Sequence, residues 1–478
     1  MSNRRAPFDQ IQGNRETENQ RKKAGLVDSL VPCFSGSLVL SLTLAAVLGV
    51  QAPSKLAAQE ATRILTLDQA VSIAMERNRD VQRAEEYQKW VRGKYVEERA
   101  AALPQLSLTA YGTRNTDESL LALYPADLRT FFPATQDLAG GEISLSQALY
   151  TWGQVGAAIR AAKEGIADAS DRLEKARQDA RRDVTASFYD VLLAKEILAI
   201  ARENFAQKER HLDEAQKRFA LGTATDYDVL AARVAVENAR PAVIRSANDV
   251  RTAREKLRFL LADPATDIDV DGSLGAEPIS PPAYAEAVAA AFAHRPDLRD
   301  LEHQTAIARH LVTIAKAGDK PRLDLQAGYG RRQYWIQNVT TQGDLWNAGL
   351  YIRFPFFDGL RTKGRVMQAV SDRTSLEIQT QKVRDSVSLE VRVASDAMTE
   401  SAEVVKALAG TVEQAERLLG MAERGFEYGV KTKLDVDDAQ LSLMQARGNL
   451  ARARRDYLVA RVNLLWVQGL LTEEVPAH

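Results

Sequence analysis

Residues 219–230 read Phe-Ala-Leu-Gly-Thr-Ala-Thr-Asp-Tyr-Asp-Val-Leu, and residues 426–437 read Phe-Glu-Tyr-Gly-Val-Lys-Thr-Lys-Leu-Asp-Val-Asp. The two stretches share Phe, Gly, Thr, Asp and Val at matching places, with a constant offset of 207 residues (426 − 219 = 207). The register continues without a gap to Leu257 and Leu464. Because solenoid repeats are only about 20 to 50 residues long, a repeat of this length indicates a duplicated domain.

The repeat and an apolar N-terminal run divide the chain into three predicted parts. Residues 1–58 are predicted to be a signal peptide, because a basic start precedes an apolar run at residues 38–50. That run is shorter than the roughly 20 residues of a membrane-spanning helix, although an uncleaved anchor is the alternative. Residues 59–265 form the first predicted structural repeat and residues 266–478 the second, each with helices plus a β-hairpin.

Charge and cysteine content exclude several classes of function. The chain has 63 Lys and Arg against 64 Asp and Glu, so it has no net positive field for nucleic acid. The only cysteine, Cys33, lies in the predicted signal peptide. A mature chain without cysteine can form neither a disulfide nor a thiolate metal site.

Two long windows without proline predict long helices. No proline occurs between Pro133 and Pro241 or between Pro355 and Pro476, and both windows are rich in strong helix formers. A helix over residues 153–221 would be roughly 100 Å long at about 1.5 Å per residue. In the last window, apolar residues recur at spacings of three and four, which predicts a seam for a partner helix. These residues are Leu450, Ala453, Tyr457, Ala460 and Leu464.

Each copy also contains two short segments in which apolar and polar residues alternate, at 106–111, 143–146, 323–329 and 348–356. This period predicts strands with one apolar and one polar face, as a lipid-facing barrel requires. Two hairpins on a soluble core are the alternative. Four strands cannot close a barrel and open edges are not tolerated in lipid, so a barrel would need several chains.

The paired turns, the strands and the Leu-Pro-Gln-Leu-Ser-Leu start at residues 103–108 resemble the outer-membrane efflux protein family, the TolC-like outer membrane factors. The resemblance covers residues 65–471. It implies a mainly α fold with a small β part, built from a duplicated strand-hairpin and long-helix unit. In a homotrimer, each chain would give four strands to a 12-stranded outer-membrane β-barrel continued by a periplasmic α-helical barrel. Residues 113–140 and 331–345 would be loops facing outside the cell.

The same resemblance implies a function. The chain would be the outer-membrane exit duct of a tripartite efflux or type I secretion system in a Gram-negative bacterium. It would conduct passively and without a cofactor, with a periplasmic adaptor protein, an inner-membrane pump and outer-membrane lipid as partners. The alternative is a periplasmic coiled-coil adaptor or structural protein, which would not need two strand pairs repeated in step with the helices.

The paired turns carry the candidate site residues. The glycines tolerate the positive φ at which a helix ends, and the threonines lie close to the next helix start. The resemblance assigns adaptor docking to Gly222, Thr225, Gly429 and Thr432. It assigns the aperture of the duct to Asp228, Lys431 and Phe426. Phe426 lacks the hydroxyl that a tyrosine would offer, and Lys431 lacks the bidentate fork of an arginine.

Further candidates lie in the strands, and enzyme motifs are not found. The polar strand residues Asp324, Gln326 and Arg353 are candidates for lining the lumen. His303 and His310 are seven residues apart without metalloprotease spacing, and we interpret them as solvated helix positions. No serine lies in a nucleophile-elbow pattern, so no enzymatic activity and no metal site are predicted.

Overall fold

The computed structural model describes residues 63–116, 119, 125, 135–275, 277–336 and 339–471. All of them belong to one unit, residues 59–478. The predicted signal peptide, residues 1–58, lies outside the described residues.

The two halves of the chain have the same order of elements: a short strand, two helices, two long strands and two helices. The first half contains β1 (Arg63–Leu65), α1 (Leu67–Arg77), α2 (Arg79–Ala100), β2 (Gln105–Thr116), β3 (Thr135–Tyr150), α3 (Gln154–Ala220) and α4 (Asp226–Leu260). The second contains β4 (Ile268–Val270), α5 (Tyr284–His294), α6 (Pro296–Lys316), β5 (Arg322–Ile336), β6 (Val339–Arg353), α7 (Arg361–Glu427) and α8 (Lys433–Val467). The repeat boundary placed at residues 265 and 266 falls between α4 and β4 and stays a prediction.

The long helices confirm the prediction from the proline-free windows. Both α3 and α7 contain 67 residues, and both α4 and α8 contain 35. At about 1.5 Å per residue, the longer pair measures roughly 100 Å. In α8 the predicted seam residues Leu450, Ala453, Tyr457 and Leu464 are buried, and Ala460 packs beside them. Helix α3 packs against α4 of its own copy and also against α8 of the other.

The main sheet has the strand order β2-β3-β5-β6, and all its neighbours are antiparallel. The pairing of β3 with β5 joins the two copies, with one irregularity in register between Ala148 and Tyr150. A second, parallel pair of strands, β1 with β4, also joins the copies. The four predicted strand segments therefore all lie in, or begin in, the main sheet.

The strands extend further than the alternation predicted, so the predicted loops at 113–140 and 331–345 are too long. Strand β2 continues to Thr116 and β3 begins at Thr135, while β5 and β6 run to Ile336 and from Val339. The apolar and polar alternation fades in these outer parts, but backbone pairing does not depend on it. At the other end, β6 stops at Arg353, because Pro355 has no N–H to donate to a ladder.

The principal core surrounds the middle of the long helices. It is built where the short parallel strands meet α1, α5 and the central parts of α3, α7 and α8. Leu65, Val191, Val391 and Tyr457 are all at most 1% exposed, and the hydroxyl of Tyr457 accepts a hydrogen bond from the N–H of Ile279 at 2.9 Å. Within the described part of the chain, no helix is both long enough and apolar enough to cross a membrane.

Candidate functional site

The turn between α3 and α4 ends one helix and starts the next within five residues. Gly222 has a φ of +73° and its N–H donates to the carbonyl of Phe219 at 2.9 Å, while the N–H of Thr223 donates to the carbonyl of Arg218 at 2.9 Å. This pair of bonds is the Schellman arrangement, in which a left-handed residue satisfies the last carbonyls of a helix. A glycine is favoured at residue 222 for that reason.

Thr225 then starts α4 through a capping box. Its hydroxyl accepts from the N–H of Asp228 at 3.3 Å, and the Asp228 carboxylate accepts from the N–H of Thr225 at 2.8 Å and from its hydroxyl at 2.7 Å. The backbone N–H and the hydroxyl of Thr225 hold the pKa of Asp228 below its usual value. Asp228 is therefore an ionised cap of its own helix.

The turn between α7 and α8 repeats this geometry. Gly429 has a φ of +71°, and the N–H groups of Gly429 and Val430 donate to the carbonyls of Phe426 and Gly425 at 3.0 and 2.8 Å. Thr432 and Asp435 form the second capping box, with the carboxylate accepting from the Thr432 N–H at 2.8 Å. The backbone N–H of Thr432 again lowers the pKa of the carboxyl.

The three aperture candidates contact three different partners in the described chain. Asp228 is held by Thr225, as above. Lys431 lies 3.4 Å from the Asp435 carboxylate of its own helix start. Phe426 lies under the guanidinium of Arg218, 5.9 Å from ring centre to Cζ, which is cation–π distance. The Phe426 ring, which has no hydroxyl, thus presents its face to the Arg218 cation of the other copy.

Gly425 is a positioning residue that the sequence reading missed. A Cβ built on it would lie 2.6 Å from Cγ of Lys431. Its carbonyl also accepts from the N–H groups of Val430 and Lys431. The alkyl stem of Lys431 therefore lies directly over the last turn of α7, and a larger residue at 425 would displace it.

Side chains near the turns also join the two copies. Lys208 of α3 binds Asp437 of α8 at 2.8 Å and the amide oxygen of Gln440 at 3.2 Å. Further from the turns, Glu203 pairs with Arg447 at 3.1 Å. Contacts of this kind between the copies depend on how each helix is rotated about its own axis. The period of apolar residues in one sequence does not determine that rotation.

Both turns expose apolar side chains to solvent. Leu221 and Tyr227 of the first turn are 79% and 77% exposed, and Tyr428 and Val430 of the second are 82% and 80% exposed. Leu221 and Tyr428 occupy the same position in the repeat (221 + 207 = 428). An exposed apolar side chain thus recurs at the same position of both turns.

The three lumen candidates share one face of the sheet. Asp324 pairs with Tyr351, Gln326 with Gly349 and Arg322 with Arg353, and directly opposed residues project from the same side. The Asp324 carboxylate accepts from Nε of Arg322 at 2.8 Å. The opposite face carries exposed apolar residues, among them Leu106, Leu108, Leu350 and Ile352. Which face lines the lumen stays a prediction.

A polar cluster between α3 and α6 corrects the reading of His303 as a solvated position. Nδ1 of His303 lies 2.8 Å from Glu164, and Nε2 lies 3.5 Å from Asp171. One helical turn away, burial raises the pKa of the Asp168 carboxyl to about 7, and its hydrogen bond with Asp300 acts in the same direction. Among the residues that the structure describes, no group of His, Cys, Asp and Glu has the arrangement of a metal site.

Comparison with known proteins identifies the family. The model of the outer membrane efflux protein family matches residues 70–263 and 287–469, which include both turns and all four long helices. The chain belongs to the outer membrane efflux protein family. The family match thus agrees with the resemblance carried by the paired turns and strands.

Relatives and solved structures support this membership. The alkaline protease secretion protein AprF of Pseudomonas aeruginosa is 25% identical over 385 residues, which cover 78% of each chain. The outer membrane protein TolC of Vibrio cholerae is 25% identical over 385 residues, covering 79% of this chain and 84% of that protein. The Campylobacter jejuni CmeC outer membrane channel has a TM-score of 0.73 at 16% identity and covers 91% and 94% of the two chains. The fold is therefore that of the outer membrane efflux channels.

Proposed function

We propose that this outer membrane efflux protein is the exit duct of a tripartite efflux or type I secretion system. The observation that carries the proposal is that each copy places a strand pair in series with a 67-residue helix that ends in a capped turn. A helix of roughly 100 Å is far longer than the hydrocarbon core of a bilayer, which is about 30 Å thick. One chain can thus contribute both to a sheet and to a long helical wall.

The open edges of the sheet support a trimeric barrel. Among the strands that the structure describes, β2 and β6 are each paired on one side only. Three chains would bring 12 strands together and pair every edge, as a structure in lipid requires. The exposed apolar face with Leu108 and Ile352 would then contact lipid, and the face with Asp324, Gln326 and Arg353 would line the lumen.

The two turns are the proposed docking surface for a periplasmic adaptor. The polar groups of Thr225 and Thr432 are engaged in capping boxes within their own turns. The glycines keep the turns narrow and the apolar side chains beside them remain exposed. An adaptor would therefore contact backbone and apolar surface around Gly222 and Gly429. We retain Asp228, Lys431 and Phe426 as proposed aperture residues.

Conduction in this proposal is passive and includes no enzymatic step. An inner-membrane pump would supply the energy and choose the cargo. One relative is named for protease secretion and another for cobalt-zinc-cadmium resistance, so members of one family are named for different cargoes. We therefore assign cargo specificity to the pump that the duct serves.

The test is reconstitution of the detergent-purified protein. We expect a particle of three chains by light scattering, and release of a small dye trapped in liposomes after the protein is inserted. A water-soluble species that releases no dye would contradict the duct. It would favour the periplasmic coiled-coil protein, which shares the long helices but has no need of a lipid-facing sheet.

A further inference from the structure

A polar cluster on α3 and α8, close to the two turns, links the two copies. Nζ of Lys208 on α3 lies 2.8 Å from the Asp437 carboxylate on α8 and 3.2 Å from the amide oxygen of Gln440. The Lys208 side chain is 17% exposed and the Asp437 side chain is 37% exposed. The pair is therefore shielded from water on the lysine side, where buried Gln440 provides the second acceptor.

Asp437 serves two lysines. Nζ of Lys433 lies 3.7 Å from the same carboxylate oxygen that Lys208 binds. Burial lowers the pKa of Lys433, and the charge of Lys208 acts in the same direction. The cluster thus holds two cations against one central carboxylate, so it tolerates an additional positive charge poorly.

His211 is the group that can add that charge. It lies one turn beyond Lys208 on α3, and its Nε2 is buried without a hydrogen-bond partner. In the imidazolium both ring nitrogens carry a proton, so Nε2 would hold an N–H donor without an acceptor, within the influence of the charges of Lys433 and Lys208. Burial lowers the pKa of His211 from 6.5, Lys433 and Lys208 lower it further, and Asp437 and Glu214 oppose the change.

The effect of pH follows from these directions. A histidine whose pKa is lowered in the closed contact regains its ordinary value, about 6.5, once water reaches it. The separated helices therefore bind protons more strongly than the packed ones. Acidification then favours separation of α3 from α8, and neutral pH favours the packed state.

Two of the three aperture candidates differ from this cluster in one respect, whereas Phe426 contacts Arg218 of the other copy. Asp228 is bound by Thr225, and Lys431 lies beside Asp435, so each partner belongs to the same turn. Movement of one helix pair away from the other would leave those bonds intact. The bond between Lys208 and Asp437 joins α3 to α8 and would break.

We propose that Lys208, His211, Lys433, Asp437 and Gln440 form a proton-sensitive latch that keeps the helix pairs of the two copies together above the turns. Neutral His211 permits the latched state, and imidazolium at residue 211 releases it. The proposal rests on the proposed duct, whose tunnel the separating helices would widen. Because periplasmic pH follows the medium, the latch would make the closed state sensitive to external acid.

Two readouts test the latch. Spin labels on cysteines introduced at the exposed residues Gln216 and Glu427 would report the distance between α3 and α7, in a background with Cys33 replaced. Single-channel recordings would report opening. In the wild type we expect a longer distance between the two labels at pH 5.5 than at pH 7.5. We also expect the channel to open more often at pH 5.5.

Variants separate the parts of the latch. Asp437→Asn should open the contact at both pH values, with opening increased roughly tenfold, as loss of one hydrogen bond to a charged group produces. His211→Gln should remove the pH response and leave the neutral state unchanged. Asp213→Asn, at an exposed pair with Lys217 within α3, is the matched control and should behave as the wild type.

Each outcome has one meaning. Distances that do not respond to pH, or that respond equally in His211→Gln, would overturn the latch. Distances that respond while the protein fails to conduct would leave the latch in place and contradict the duct. Lys208→Ala and Asp437→Ala should each lengthen the closed distances at pH 7.5, and the double variant should add little to either. Additive effects of the two substitutions would show that the ion pair does not hold the contact.

Discussion

At the scale of single residues, the turns are decided by glycine and threonine. Gly222 and Gly429 have φ values of +73° and +71°, and Thr225 and Thr432 each complete a capping box. The repeated sequence was sufficient to place these four residues, because caps depend on neighbours within about four positions. Their role in docking is a proposal that the caps themselves do not test.

Replacement of Gly222 by alanine should loosen the first turn. The space around a Cβ at residue 222 is open, so the cost comes from the left-handed backbone alone, roughly 1–2 kcal/mol. Hydrogen exchange at the amides of residues 222 and 223 should become faster. Gly410→Ala, in equally open space within α7, is the control and should slow local exchange, because alanine favours a helix. Equal protection in the Gly222 variant and the wild type would contradict the strain.

Phe426 should contribute to the closed state through its ring face. An exposed cation–π contact is worth about 0.5–1 kcal/mol, so Phe426→Leu should raise opening by a few-fold in single-channel recordings. Phe219→Leu is the matched control, because Phe219 is the counterpart in the first copy (219 + 207 = 426) and is 49% exposed. An equal change in both variants would exclude a specific role for the contact with Arg218.

At the scale of elements, the proline-free windows predicted the long helices, and the alternation of apolar and polar residues predicted the strands. The helix predicted over residues 153–221 is α3, and all four alternating segments lie in strands or begin in them. The ends were less predictable. Strands β5 and β6 run beyond the alternation, and α4 continues through Pro241, which a sequence reading treats as a probable break. Backbone pairing and tertiary packing decide such ends.

The contact between α3 and α6 should depend on pH through Asp168. Its pKa of about 7 in the folded chain exceeds the ordinary 3.8, so folding favours the protonated form. As pH rises, the Asp168 carboxyl ionises in the unfolded chain before it ionises in the folded chain. The contribution of Asp168 to the free energy of unfolding therefore falls as pH rises from about 4 to about 7. Asp168→Asn removes the ionisation. We therefore expect the melting temperature of this variant, relative to that of the wild type, to increase as pH rises from 5 to 8.

Circular dichroism in detergent would follow that melting. Asp213→Asn, at an exposed carboxylate of the same helix, is the control and should show no such pH-dependent gain. A constant difference in melting temperature between Asp168→Asn and the wild type across this range would show that the Asp168 carboxyl is ionised throughout.

At the scale of the whole molecule, departures from the repeat mark the places where the copies meet. Lys208, His211 and Arg218 correspond to Ala415, Leu418 and Gly425, at the same offset of 207 residues. Two of these α3 residues contact the other copy: Lys208 binds Asp437 of α8, and Arg218 lies over the ring of Phe426 of α7. The sequence contained this signal, but only the packing of α3 on α8 shows which side chains meet.

Duplication also explains why one chain has the features of a larger assembly. Strands β3 and β5 join the copies in one sheet, and within the described part of the chain the outer strands β2 and β6 each have one unpaired edge. The family fold could be predicted from the paired motifs, because they recur in step with strands and helices. The number of chains and the closed state of the duct depend on contacts between chains, which one sequence does not specify.

The most direct test of the duct is planar-bilayer recording of the purified, unboiled protein, with its mass determined in the same detergent. We predict a particle of three chains that inserts and opens stable, discrete channels. A particle of three chains that never conducts, or a monomer that stays in water, would contradict the central claim that this outer membrane efflux protein is a passive duct.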